Sequence, residues 1–133
     1  MTDTPPMTAR DVLNDLQQAA TARNHAAALG LMTDDIVLFG TASANLDRAA
    51  ASEYLRVVFD QDGVIRWDWT TIQVVDARAG AITFVALGTV GLDDGGQDQR
   101  DAERVPIRLS ALIVDEGDRW RLRHFHGSTP ETP

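Results

Sequence analysis

The chain of 133 residues is long enough for one domain with its own hydrophobic core, and its 44% hydrophobic and 24% charged residues are ordinary for a globular protein. It contains no cysteine, which excludes disulfides, thiolate metal ligands and a cysteine nucleophile. The net charge of −8, with arginine as the only basic residue type, argues against binding to nucleic acid, whose phosphates favour clustered cations.

The opening residues, "MTDTPPMTARD", lack the apolar core of a signal peptide, and no later run approaches the length of a membrane span. We therefore expect a cytoplasmic protein that does not associate with membranes.

The first part of the chain is patterned for helices. Residues 1–7 are polar with two prolines and are predicted to be flexible. Thr8 has the Thr-x-x-Asp spacing of a helix N-cap, and apolar residues recur behind it at helical intervals to about Arg23. Asn24 is placed to cap a second, shorter helix over 25–32.

A short strand and a third helix follow. The residues "TDD" are predicted to end the second helix, and "IVLFG" (36–40) is predicted to form the strand. Asp47 begins the third helix, which ends by Gly63. The apolar face of this helix consists of Ala51, Tyr54, Leu55 and Val58.

From Val64 onward the pattern is that of strands. Four runs separated by turn residues are predicted to be strands: 64–75, 81–92, 104–114 and 119–126. Three helices followed by an antiparallel meander, with one early strand, indicate an α+β domain. The run 81–92 is apolar on both faces, so we expect one face to pack on the helices and the other on a second copy of the chain, giving a homodimer through the sheet face.

Trp67 and Trp69 share one face of their strand, whereas Ile72 and Val74 have the other parity. This switch predicts a β-bulge near residues 70–71 that bends the strand. If the tryptophans face inward, Asp68 is a surface acid. An earlier bulge would instead turn Asp68 into the pocket as a candidate base, and the first arrangement is favoured.

Two histidines stand near the end of the chain, in "WRLRHFHGSTP" (120–130). If no bulge intervenes, His124 and His126 share a face with Trp120 and Leu122. For His124 the favoured role is structural, with its imidazole hydrogen-bonded to a carbonyl or hydroxyl group. His126 lies nearer the strand end, where it is predicted to act either as pocket wall or as a general acid/base.

An i, i+2 histidine pair can chelate a metal ion, but a metal site needs a third ligand. The remaining histidine, His25, falls at the start of a helix, and only Glu53 and Asp68 could supply a carboxylate. No metal site is therefore predicted.

Three strings carry a resemblance to a known family: "DDIVLFGTA", "VIRWDW" and "DRWRLRHFHGSTP". Together with the order of elements they resemble the nuclear transport factor 2-like superfamily and, within it, the SnoaL-like group. The last string is also similar to the terminal strand of the calmodulin-dependent kinase association domain. The resemblance covers residues 8–130, leaving 131–133 as a tail.

The resemblance implies a cone-shaped, strongly curved sheet wrapped around three N-terminal helices, with a pocket at the open end. Members of the superfamily include isomerases, cyclases, hydrolases and dehydratases, together with domains that only bind ligands or oligomerise. Fold alone therefore does not decide the chemistry.

This chain departs from its relatives at the positions where they carry charged pocket residues. Steroid-isomerase-like relatives place a carboxylate near the end of the first strand, where this chain has Phe39 and Gly40. SnoaL-like relatives often have a Glu in the next loop, where Asn45 is the nearest polar residue, and the kinase association domain has an Arg where Gly127 stands. Neither the carboxylate mechanism nor the anion site of these relatives is supported here.

We therefore predict a mostly apolar pocket for a hydrophobic or aromatic small molecule, with no cofactor. Its predicted lining is Phe39, Tyr54, Trp67, Trp69, His124, Phe125 and His126. An enzyme version would use His126 as acid/base in an isomerisation, cyclisation or dehydration. The alternative is a non-catalytic homodimerisation or accessory module with a vestigial pocket.

Overall fold

The computed structural model of the protein describes residues 4–93 and 104–130. Three helices and six strands follow one another along these residues. They are α1 (Pro5–Thr21), α2 (His25–Gly30), β1 (Met32–Phe39), β2 (Ala44–Asn45), α3 (Arg48–Phe59), β3 (Val64–Arg78), β4 (Ala81–Asp93), β5 (Arg104–Asp115) and β6 (Trp120–Ser128).

The six strands form one mixed sheet in the order β2-β1-β6-β5-β4-β3. Strands β1 and β6 are parallel, and every other neighbouring pair is antiparallel. Helix α1 packs mainly on β3, and α3 packs on β1, so the helices cover one face of the sheet. We call this the inner face and the opposite one the outer face. The predicted α+β fold is confirmed.

The first helix begins earlier than the sequence pattern indicated. Thr4, not Thr8, is the N-cap, and its hydroxyl accepts a hydrogen bond from the Met7 backbone N–H at 3.4 Å. Pro5 and Pro6 form the first turn, where a missing backbone N–H leaves no helical bond unmade. Residues 5–7, which were predicted to belong to a flexible N-terminus, are thus the first turn of α1, while residues 1–3 and 131–133 lie outside the described residues.

The predicted caps of the other two helices are confirmed. Side-chain oxygens of Asn24 and Asp47 each accept a hydrogen bond from the backbone N–H three residues on, at 3.0 and 2.8 Å. Helix α2 ends at Gly30, however, and "TDD" belongs to β1 rather than to a turn. The strand is longer than predicted because it already pairs with β6 at Met32.

The bulge predicted in β3 is present. The pairing of β3 with β4 shifts between Trp69 and Thr71, which leaves Thr70 as the extra residue. The extra residue lets Trp69 before it and Ile72 after it both pack against the core on the inner face. Strand β3 continues to Arg78, so the turn predicted over 76–80 is only two residues long.

A further register shift in β3, between Val74 and Asp76, and a bulge in β6 were not predicted. Leu122 pairs with Ile113 and His124 pairs with Leu112, so Arg123 is the extra residue. Leu122 therefore faces inward while His124 faces outward. The two were predicted to share a face only in a strand without a bulge, and this condition is not met.

The core lies between the helices and the inner face and includes residues from every major element. Its largest fully buried side chains are Leu13, Met32, Ile36, Phe84, Leu109, Ile113 and Leu122. Strand β4 passes through the middle of this core, and its Gly88 pairs with Trp69 of β3. A Cβ atom built on Gly88 would lie 2.9 Å from the carbonyl carbon of Asp68 and 3.0 Å from the Cα atom of Trp69. Only glycine fits this close approach of two strands.

We predict that Gly88→Ala lowers the free energy of unfolding by at least about 2 kcal/mol, because backbone atoms beside the β3 bulge must move. Gly30→Ala is the matched control, since a Cβ there meets nothing within 4 Å. It should raise stability by up to about 1 kcal/mol, because alanine favours a helix over glycine. Urea unfolding midpoints at unchanged m-value measure both changes, and equal stability of the two variants would contradict the account of Gly88.

Candidate functional site

A cavity of about 230 Å³ lies between the helices and the inner face of the sheet. We call it the central cavity. Its lining consists of Leu16, Met32, Leu38, Gly40, Thr41, Tyr54, Leu55, Val58, Ile65, Trp67, Val90, Val105, Ile107, Phe125, Gly127 and Thr129. The leucines, Met32 and Phe125 are buried, whereas Thr41, Val105 and Thr129 are exposed, so the cavity runs from a closed apolar end to an open rim.

Three of the seven residues predicted to line a pocket line this cavity: Tyr54, Trp67 and Phe125. Tyr54 lies on the inward face of α3, Trp67 precedes the β3 bulge, and Phe125 follows the β6 bulge. Trp69 is on the same face as Trp67 but lies further along β3, where it packs against the core and is not part of the lining.

The other three predicted lining residues, Phe39, His124 and His126, lie together on the outer face. The ring of Phe39 contacts both imidazoles edge to face, with centroid distances of 5.6 Å to His124 and 5.3 Å to His126. His126 is exposed, and none of the three lines the central cavity. Their expected place on the cavity wall is corrected, because the β6 bulge reverses the face that His124 and His126 present.

The imidazole of His124 has the structural role that was favoured for it. Its Nδ1 atom lies 2.9 Å from the backbone carbonyl oxygen of Val37 on the neighbouring strand, and this carbonyl can only accept a hydrogen bond. Nδ1 therefore carries the proton of this hydrogen bond, which ties the imidazole to β1.

Asp68 faces outward, as the favoured arrangement of the two tryptophans required. Its carboxylate lies 3.5 Å from the Arg66 guanidinium and 3.6 Å from that of Arg104. Arg104 in turn pairs with Asp93 at 3.0 Å. These four residues form an ion-pair network at one end of the outer face, so Asp68 is not a base for the central cavity.

His25 and Ser52 resemble a nucleophile and its base, since the serine hydroxyl lies 3.2 Å from His25 Nε2. The same nitrogen is closer, at 2.8 Å, to the backbone carbonyl oxygen of Ser52. A nitrogen that donates to this carbonyl carries a proton and cannot accept one from the hydroxyl. The pair therefore joins α2 to α3 and is not a catalytic dyad.

The polar content of the central cavity is small. Apart from the rim threonines, Tyr54 and Trp67 are the lining residues whose side chains carry an O–H or N–H group. Burial raises the pKa of the Tyr54 phenol above its usual value of 10.0, so this hydroxyl stays neutral near pH 7. No charged side chain is among the described residues that line the cavity.

Most of the lining was missed because its residues look like ordinary core in the sequence. Leu16, Leu38 and Leu55 have the spacing of buried helix or strand positions, which does not distinguish a cavity wall from a packed core. The sequence signal for the cavity is a pair of glycines, Gly40 and Gly127, at the ends of apolar strands. An isolated glycine in a strand often lies where a ligand or another part of the backbone comes close.

Two further features of the described residues bear on function. They contain no group of three or more His, Asp or Glu side chains arranged to hold a metal ion. Within residues 4–93 and 104–130, no helix has the length and apolar character needed to cross a membrane.

Solved structures with this fold come from several bacteria. A candidate dehydratase of the NTF2-like family from Streptomyces avermitilis is 10% identical, with a TM-score of 0.80 over 98% of this chain and 100% of its own. An NTF2-like protein of unknown function from Pseudomonas putida is 18% identical, with a TM-score of 0.79 over 99% and 91%. A candidate calcium/calmodulin-dependent protein kinase type II association domain from Thiobacillus denitrificans is 19% identical, with a TM-score of 0.71 over 93% and 96%. At these identities the likeness establishes the fold alone.

Among curated proteins, no sequence matches this chain. The model of a protein family described as the SnoaL-like domain matches residues 9–132, which is nearly the whole chain. The chain therefore belongs to the SnoaL-like domain family, and its three helices and six-stranded mixed sheet have the fold of the NTF2-like structures.

Proposed function

We propose that this protein binds a small apolar or aromatic molecule in the central cavity. The observation that carries the proposal is the lining, which is apolar on all sides and comes from α1, α3 and five strands. A cavity of this kind, with few polar groups and an open rim, is the usual form of a small-molecule site.

The size of the cavity limits the ligand. An apolar cavity of about 150 Å³ in another protein takes up benzene. The central cavity, at about 230 Å³, has room for a molecule of one or two rings. Trp67 and Phe125 offer flat aromatic surfaces to such a molecule.

The proposal is for binding, without the acid/base role considered for His126. A general acid or base must come within hydrogen-bond reach of the proton that it transfers. His126 is exposed on the outer face, on the other side of the sheet from the central cavity. An isomerisation or dehydration in the cavity would therefore need another proton-transfer group.

We predict that tetralin, a two-ring hydrocarbon, stabilises the wild-type protein by about 2.7 kcal/mol at a hundredfold excess over its Kd. Gly127→Leu should abolish this effect. A Cβ at Gly127 would meet Ile107 and Phe125 at an ordinary contact distance of 3.5 Å, so the backbone tolerates the side chain while its outer atoms fill the cavity. Thermal unfolding with and without tetralin measures the effect.

His126→Ala is the control for this experiment, since its side chain lies outside the cavity; it should keep the full shift. A shift that survives Gly127→Leu, or one that is lost in His126→Ala, would place the binding site elsewhere.

A second candidate function is homodimerisation through the outer face, and one observation favours it. Val85 and Leu87 of β4 and Leu112 and Val114 of β5 project from this face and form an apolar patch, in which Val85 pairs with Ser110 and Leu87 with Arg108. Leu87 is 50% exposed, and no described helix covers this side of the sheet. A second copy of the chain would bury these residues against their own counterparts, as a two-fold interface requires.

We predict a homodimer at micromolar concentration that Leu87→Asp converts to a monomer, because the substitution places a charge in the apolar patch. Leu46→Asp is the matched control, since Leu46 is 70% exposed but lies just before α3, away from the outer face. Light scattering with size-exclusion chromatography distinguishes the two states. A wild-type monomer, or a Leu87→Asp dimer, would exclude this interface.

A further inference from the structure

The hydroxyl group of Tyr54 is one of the few polar groups that line the central cavity. Tyr54 reaches the cavity from the middle of α3 and is partly buried there. Burial raises the pKa of its phenol, and the backbone of Gly40 lies close to its Oη atom. A hydroxyl at an apolar wall without a protein partner is available to a ligand.

Gly40 fixes where this hydroxyl lies. A Cβ atom built on Gly40 would approach Tyr54 Oη first, and it would lie 2.8 Å from Cζ and 2.9 Å from Cε1 of the same ring. The Gly40 backbone is itself held by a hydrogen bond from its N–H to the Ser43 carbonyl oxygen at 2.9 Å. The tyrosine ring therefore rests against the loop after β1, in space that any other residue at position 40 would occupy.

The charge of the lining sets a second condition on the ligand. The described lining residues offer no arginine or histidine to pair with an anion and no carboxylate to pair with a cation. Moving an unpaired ion into such a site costs several kcal/mol. Moving a neutral molecule with a carbonyl or ether oxygen into the cavity costs much less free energy, provided that its oxygen receives a hydrogen bond.

We infer that the central cavity selects neutral apolar molecules that carry one hydrogen-bond acceptor, that Tyr54 Oη donates to this acceptor, and that Gly40 is the residue that positions Tyr54. This inference rests on the proposed ligand-binding function and names the ligand class for the same site. Trp67, whose indole N–H also belongs to the lining, is the competing donor.

The test compares three ligands with one carbon frame: tetralin, 1-tetralone, which has a ketone in place of one CH₂ group, and tetralin-1-carboxylate. Binding of each to the wild-type protein and to Tyr54→Phe is measured by titration calorimetry. Tyr54→Phe should weaken the binding of 1-tetralone at least about tenfold, because the buried carbonyl of the ligand loses its hydrogen-bond donor. Tetralin, which has no acceptor, should change by less than about twofold, since the ring itself is retained. The carboxylate should bind the wild type at least about tenfold more weakly than 1-tetralone does.

The role of Gly40 is tested by a double-mutant cycle with 1-tetralone. Gly40→Ala should weaken binding at least about tenfold in the wild type, because the alanine methyl displaces the tyrosine. The same change should cost less in the Tyr54→Phe background, where the nearest clashing atom is gone. Equal costs in both backgrounds would overturn the positioning role.

The outcomes separate this inference from the binding proposal. If Tyr54→Phe weakens tetralin and 1-tetralone by the same factor, the cavity binds ligands but Tyr54 does not choose among them, and the inference fails alone. A loss confined to 1-tetralone in Trp67→Phe, but absent in Tyr54→Phe, would assign the donor to the indole instead. If none of the three ligands binds the wild type, the proposed function fails together with the inference.

Discussion

Two of the β-bulges in the sheet, at Thr70 and Arg123, decide which side chains this protein presents to its interior. In an undisturbed strand, successive residues face opposite sides of the sheet. Every second residue therefore lies on the inner face along the whole strand. In β3 the extra residue at Thr70 keeps Trp69 and Ile72 on the same side. In β6 the extra residue at Arg123 does the same for Leu122 and Phe125. Without these two insertions, half of each strand would turn its apolar residues away from the helices.

The bulges also explain why the sheet can enclose a cavity. A bulged strand bends and twists more strongly than a regular one, and the bent strands β3 and β6 both contribute to the cavity wall. Glycines keep the space open: Gly127 places no side chain in the cavity, and Gly40 leaves room for the ring of Tyr54. Apolar side chains that line an open cavity are not fully removed from water, so the protein forgoes the stabilisation that filling the cavity would give. A protein used only as a dimerisation module would gain by filling it, which favours a ligand for the central cavity.

How far the sequence predicts this structure depends on the range of the interactions involved. The caps at Asn24 and Asp47 are contacts within one turn, and both were predictable from residue type and spacing. The β3 bulge was predictable as well, because the tryptophans and Ile72 are large apolar residues of opposite parity. Leu122 and Phe125 are related in the same way in β6, but a regular strand would place Leu122 on one face with His124 and His126, and this alternation does not indicate a bulge. The pocket was expected from the family resemblance, but most of its lining could not be predicted, since its walls come from elements far apart in sequence and consist of the same residue types as a filled core.

The β6 bulge has a further consequence for function, because it separates the two proposed roles onto opposite faces of one sheet. Phe125 faces the central cavity, whereas His124 and His126 on either side of it lie with Phe39 on the outer face. A substitution on one face leaves the side chains of the other face in place, as long as the strand register is kept. The two proposed roles are therefore expected to be lost independently, and a coupling between them would have to pass through the backbone of β6. Strand β1 pairs with β6 from Val37 to Phe39, directly before Gly40, and Gly40 contacts the Tyr54 ring. A register change in β6 would therefore reach the Tyr54 hydroxyl through the end of β1 and Gly40.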